Sequence, residues 1–195
     1  MAENVLSRQA RPPALDGARL GMLIFLAAEA MLFAGFVAAF LVLRLEARAW
    51  PPPLQPRLPP GVSGLNTLVL LASGWTMLRA KRRARAGARA RATGALALTA
   101  LLGAAFLGAQ GAEWARLLRF GLSAPSGIYG GMFYAVVGAH AAHVLGALLW
   151  LLAVLCIGPL RRGAVAGGDG LSLLSLYWCF VVALWPFLYA LLYLA

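Results

Sequence analysis

Five long apolar runs, separated by basic, glycine-rich or proline-rich stretches, organise this 195-residue chain. The first lies between Arg19 and Arg44 and predicts a helix over about 20–43. A second covers about 64–79 and stops at the basic run from Arg79 to Arg91. The third, about 92–112, ends at Glu113-Trp114; the fourth and fifth cover about 128–157 and about 172–194. A helix of roughly 20 apolar residues crosses about 30 Å of hydrocarbon, so each run predicts a transmembrane span. The expected fold is all-α, a polytopic membrane bundle of five transmembrane helices over 19–195, behind a polar tail over 1–18. Pro51 to Pro60, Gly121 to Gly127 and Pro159 to Asp169 read as loops, because proline supplies no backbone N–H and favours extended chain.

Composition strengthens this reading. The hydrophobic fraction is 62%, charged residues make up 12%, and mean hydropathy is +0.81. Soluble domains sit near half apolar and about a quarter charged. No short apolar stretch followed by a small-residue cleavage site opens the chain, so the first run is expected to be a retained span. Cys156 and Cys179 each sit in an apolar run, and no CxxC or CxxCH is present, which points to buried structural thiols.

The net charge of +11 does not point to nucleic acid, because the basic residues lie between apolar runs rather than along one helix face. They read as topology determinants. With five spans, the tail, the 79–91 segment and the 159–170 loop share one side and hold twelve of the 17 Lys and Arg. The other side has Arg44, Arg48, Arg57, Arg116 and Arg119. Lys and Arg favour the cytoplasmic side, so the N-terminus is expected inside and the C-terminus outside.

Small residues recur four apart at Ala30, Ala34 and Ala38, and again at Gly138, Ala142 and Gly146. That spacing lets membrane helices approach closely, so both stripes are candidates for helix packing. Ionisable groups at hydrocarbon depth are costly and usually face a protein interior or a watery cavity. Glu29 lies about ten residues into the first span, which at 1.5 Å per residue is near the bilayer centre. It is either a proton-linked group or a protonated acid hydrogen-bonded across helices. His140 and His143 are three apart on the fourth span and point away from the small-residue stripe there. Two histidines could begin a metal or haem site, but a di-haem bundle needs two more and a zinc site has only Glu29 and Glu113 to add. Interhelical hydrogen bonding is the favoured role. Glu113, with Gln110 and Trp114, sits at the outer end of the third span, where an i, i+3 pair with Arg116 suits a boundary position. Asn66 and Thr67 read as polar contacts or a helix start. These residues supply no catalytic or metal centre.

Through these residues the chain resembles subunit III of the haem–copper oxidases, the cytochrome c oxidase family. The resemblance is carried by Glu29-Ala-Met-Leu-Phe33-Ala-Gly35 in span one and by Leu65-Asn66-Thr67 with Leu70-Leu71-Ala72-Ser73-Gly74 in span two. It continues in Gln110-Gly-Ala-Glu113-Trp114, in Gly138-Ala-His140-Ala-Ala-His143-Val144, and in Tyr177-Trp178 with Phe180, Val181 and Trp185. Five such motifs occur in the family's order. Cys179 and Val182 stand where the family usually has His and Asp, and the two extra N-terminal helices of longer members, with their lipid-filled cleft, have no counterpart here.

The resemblance implies a non-catalytic subunit of a proton-pumping terminal oxidase of the short bacterial type, in the inner (plasma) membrane. Haem and copper would belong to catalytic subunit I, with subunit II and membrane phospholipid as further neighbours and no cofactor on this chain. The implied role is to stabilise the catalytic subunit and sustain proton uptake, Glu29 being the family's intramembrane carboxylate. Two other readings remain: an accessory subunit of nitric oxide reductase, which shares these motifs, and a small proton-coupled transporter using Glu29. A transporter usually shows inverted repeats and broken helices, whereas this chain has no half-to-half symmetry and one mid-span proline, Pro186.

Overall fold

A computed structural model describes residues 17–50, 52, 60–157 and 169–194. Most of the polar tail, the proline-rich connection after span one and the loop before span five, with Arg8, Arg11, Arg57, Arg161 and Arg162, lie outside the described residues. The protein is all-α, and no strand occurs among the described residues. The helices are α1 (Gly17–Glu46), α2 (Pro60–Arg85), α3 (Arg89–Arg119), α4 (Ile128–Ile157) and α5 (Asp169–Tyr189). All five are long and apolar enough to cross a membrane.

Several helices outrun the apolar runs that predict them. A charge ends an apolar run but not a backbone hydrogen-bond ladder. Thus α2 continues through Arg79, Lys81, Arg82 and Arg83, and stops only at Gly87, whose φ of 73° is left-handed. There Ala88 N–H donates to the Arg83 carbonyl at 3.0 Å and Gly87 N–H to that of Ala84 at 3.1 Å. This is a Schellman cap, and glycine is the residue that adopts its φ without steric cost. The end of α3 repeats the device: Gly121 has φ 88°, Leu122 N–H donates to the Leu117 carbonyl and Gly121 N–H to that of Leu118. Leu117 and Leu122 are both buried, the apolar contact that accompanies such a cap.

The tight turn at Gly87 folds α2 and α3 into an antiparallel hairpin, against which α5 packs along α2 and α4 along α3 and α5. Half of the most apolar window of α5 is buried, against 11% for α1, which lies outside against α4 and α5. Phe33 and Phe40 are the buried residues of α1. Beyond its end, Trp50 packs edge-on against Phe40 and Tyr129, tying the chain to the start of α4. Two of the close approaches between helices are made at glycines of the hairpin facing α5. A Cβ on Gly103 would fall 2.7 Å from Trp178 Cη2, and one on Gly74 would fall 3.0 Å from Val182 Cγ1. After Pro186, which supplies no N–H to the α5 ladder, the last turns adopt a π form over Ala190–Leu194.

Candidate functional site

The polar side chains of the bundle interior form two seams. The first joins α1 to α4. Here Nε2 of His143 lies 2.7 Å from Oε2 of Glu29, and Nδ1 lies 2.6 Å from the Ala139 carbonyl one turn back. A carbonyl oxygen only accepts, so Nδ1 carries a hydrogen and donates it. The Nε2 bond then has two forms. Either the Glu29 carboxylic acid donates to neutral imidazole, or imidazolium Nε2–H donates to carboxylate. Both forms hold one proton between the two residues, and both are neutral overall. That neutrality lets an acid and a base sit at membrane depth without an isolated charge. The Phe33 ring packs edge-on against His143, with ring centroids 5.2 Å apart.

The second seam runs along α2. Ser63, Asn66, Thr67, Ser73 and Thr76 are all buried, at helical spacing on one face. Ser63 Oγ lies 2.8 Å from both carboxylate oxygens of Glu113, and Gln110 Nε2 donates to Oε2 at 3.2 Å. Asn66 donates to the Phe106 carbonyl at 3.1 Å. Thr67 accepts from Trp185 Nε1 at 2.9 Å, Ser73 accepts from Trp178 Nε1 at 3.2 Å, and Thr76 bonds Thr99 at 2.8 Å. The hydroxyls on α2 thus tie it to α3 and α5 at several depths.

Glu113 is 6% exposed. Its carboxylate turns inward to Ser63 and Gln110, and no ion pair with Arg116 forms, although i, i+3 spacing permits one. His140 is fully buried in an aromatic cage. It stacks on Trp185 with centroids 4.8 Å apart and meets Phe33 and Phe106 edge-on. Neither of its ring nitrogens has a hydrogen-bond partner among the described residues. No group of three His, Cys, Asp or Glu side chains among the described residues is placed to hold a metal ion.

Of the sequence candidates, the structure joins Glu29 with His143 and sets His140 and Glu113 apart from that pair. Ala30, Ala34 and Ala38 line an outward-facing groove of about 340 Å³ between α1 and α5. Gly138 and Ala142 line another of about 330 Å³ between α3 and α4, and nothing stands within 4 Å of a Cβ built on Gly146. Ser63, Thr76 and Thr99 are not singled out by the sequence, and Ser73 stands there only within a motif. For Ser63 the signal is its spacing from Asn66 and Thr67, which puts all three on one face.

The family model of cytochrome c oxidase subunit III matches residues 1–195, the whole chain. The chain belongs to the cytochrome c oxidase subunit III family. Among similar proteins, "Cytochrome c oxidase subunit 3" of Formosania lacustris is 35% identical over 188 residues, covering 93% of this chain and 71% of that protein. Its namesake from Danio rerio matches with the same identity and coverage. "Probable cytochrome c oxidase subunit 3" of Mycobacterium leprae (strain TN) is 31% identical over 175 residues, covering 89% of this chain and 86% of that protein. The polar and indole residues of the motifs that carry the resemblance are turned inward by the fold. Glu29 meets His143, Asn66 and Thr67 meet α3 and α5, Gln110 meets Glu113, and Trp178 and Trp185 meet the hydroxyls of α2.

Proposed function

We propose that this chain is the third, non-catalytic subunit of a haem–copper terminal oxidase, docked in a bacterial plasma membrane beside catalytic subunit I and subunit II. Haem and copper belong to the catalytic subunit in this reading, and this chain supports proton uptake and holds that subunit in its active form. The observation that carries it is the Glu29–His143 pair, a single shared proton between two helices of a family member, at a depth where ionisable groups are kept for proton or ion work. The bacterial relative supports the plasma membrane, and the clustering of Lys and Arg around the α2–α3 turn supports a cytoplasmic N-terminus and an external C-terminus. Ala30, Ala34 and Ala38 face one open groove and Gly138 and Ala142 another, which suits close packing against a helix of another chain or a phospholipid tail.

The family model and the relatives quoted above carry the oxidase name, which favours this reading over a nitric oxide reductase accessory or a transporter. Affinity purification of the chain from mild detergent, with an optical spectrum and protein identification, tests it. A haem signal with co-purifying oxidase subunits is the expected result. A colourless chain purifying alone under conditions that preserve complexes would overturn the reading.

A further inference from the structure

A third groove, about 460 Å³, opens between the start of α2 and the end of α3. That is within the size range of small-molecule sites. Val62 lines it from α2, and Ala109, Ala112, Glu113, Arg116 and Arg119 line it from one face of α3. The chemistry is ordered along the helix axis. Two alanines lie toward the bilayer, the carboxylate follows, and two arginines stand one and two turns further out.

The three charges are not paired with one another. Ser63, Gln110 and the Tyr193 hydroxyl all donate to Glu113, so its partners suit the acceptor-only carboxylate. A carboxylate has about four lone-pair sites, so acceptor capacity is left over. Arg116 and Arg119 are exposed, and neither makes an ion pair among the described residues. Residues three apart on a helix place their Cβ atoms about 5–6 Å apart. A ligand that complements this arrangement carries a cation and an anion a few ångströms apart, on an apolar tail.

We propose that this groove binds a primary-amine phospholipid of the phosphatidylethanolamine class. Its ammonium donates to Glu113, its phosphate meets Arg116 and Arg119, and an acyl chain lies along Val62, Ala109 and Ala112. Guanidinium groups match phosphate oxygens in geometry and charge. A choline headgroup cannot make the first contact, because a quaternary ammonium has no N–H. A glycerol headgroup reaches the arginines and leaves the carboxylate without a counter-charge. The site depends on the membrane reading of the five helices and stands apart from the oxidase reading.

The test is native mass spectrometry of the full chain in its purified state. It is exchanged against mixed micelles holding equal phosphatidylethanolamine, phosphatidylcholine and phosphatidylglycerol of matched acyl chains. The wild type should retain phosphatidylethanolamine over phosphatidylcholine by about tenfold, the scale of one hydrogen bond to a charged group. Glu113→Gln should abolish that preference and leave phosphatidylglycerol retention unchanged. The paired variant Arg116→Gln with Arg119→Gln, at exposed positions that folding tolerates, should weaken retention of both lipids. Equal retention of the amine and choline lipids by the wild type would overturn the site. So would a preference that survives Glu113→Gln, or phosphatidylglycerol retained best. A chain that held no lipid of any class would likewise overturn the site.

Discussion

His143 is pinned by two hydrogen bonds of different kinds, and the difference gives its partner a role that can be measured. Because Nδ1 must donate to the Ala139 carbonyl, Nε2 and Glu29 share one proton and nothing else. Glu29→Gln keeps a donor, since the carboxamide NH2 can donate to neutral Nε2, but it cannot exchange a proton with the ring. Glu29→Ala leaves a mostly buried ring nitrogen without a partner, at a cost of about 1–3 kcal/mol. Glu29→Gln is therefore expected to hold the unfolding temperature near wild type, and Glu29→Ala to lower it. Both variants should keep haem content in the purified complex and slow its turnover. Thermal unfolding followed beside turnover reads both effects, and full turnover in Glu29→Gln would limit the pair to a structural bond. Sequence alone identified Glu29 as the buried carboxylate and His143 as a polar helix contact. It could not join them, because 114 residues separate them and the register between α1 and α4 is a tertiary property. Glu113 was placed at a boundary because it ends an apolar run, whereas its burial comes from Ser63 on a different helix.

Between helices, contact is set by where a side chain is missing and by where a hydroxyl is present. Trp178 fits over Gly103 while its Nε1 donates to Ser73, so the indole is held at both ends and cannot swing aside. Gly103→Ala brings a methyl within 2.7 Å of the ring and is expected to cost about 1–3 kcal/mol, as overpacking does. Gly108→Ala, five residues on in the same helix, meets nothing within 4 Å and removes a flexible residue from a helix interior. It should be neutral or stabilising by up to about 1 kcal/mol. Comparing the two unfolding temperatures separates packing from helix propensity, and equal shifts would mean that Trp178 yields. The five helices were legible from apolar runs alone, since each run is long enough to span. Several of their ends were not. The basic run from Arg79 ends the apolar pattern of the second span, yet the ladder persists to a cap whose glycine lies inside that run. The small-residue stripes were legible as stripes, but spacing within one helix does not say which surface they meet, and here they line outward grooves.

On the scale of the whole molecule, the orientation of the bundle couples sequence charge to function, because a proton-linked residue is useful only if its entry side is known. The two short turns of the described structure lie at opposite ends of α3, so they must face opposite sides of any membrane that α3 crosses. Seven of the 17 Lys and Arg lie between Arg79 and Arg91, around the first turn. Holding that cluster in the cytoplasm follows the bias of Lys and Arg toward that side. Exposed Ala86 marks the first turn, and exposed Ala124 marks the second. In a background with Cys156→Ala and Cys179→Ala, a membrane-impermeant thiol reagent added to intact cells should label Ala124→Cys and spare Ala86→Cys. Permeabilised cells should show both. The reverse pattern would place the basic turn outside and put the Glu113 groove on the cytoplasmic face. Labelling of both sites in intact cells would mean that α3 does not span, because its two ends would then share one compartment. The expected pattern places Glu29, about twelve residues into α1 from its cytoplasmic start at Gly17, roughly 18 Å along the helix. A proton reaching the Glu29–His143 pair from that side must then cross about half the bilayer along the α1–α4 seam, and not through the Glu113 cluster at the opposite end of the bundle.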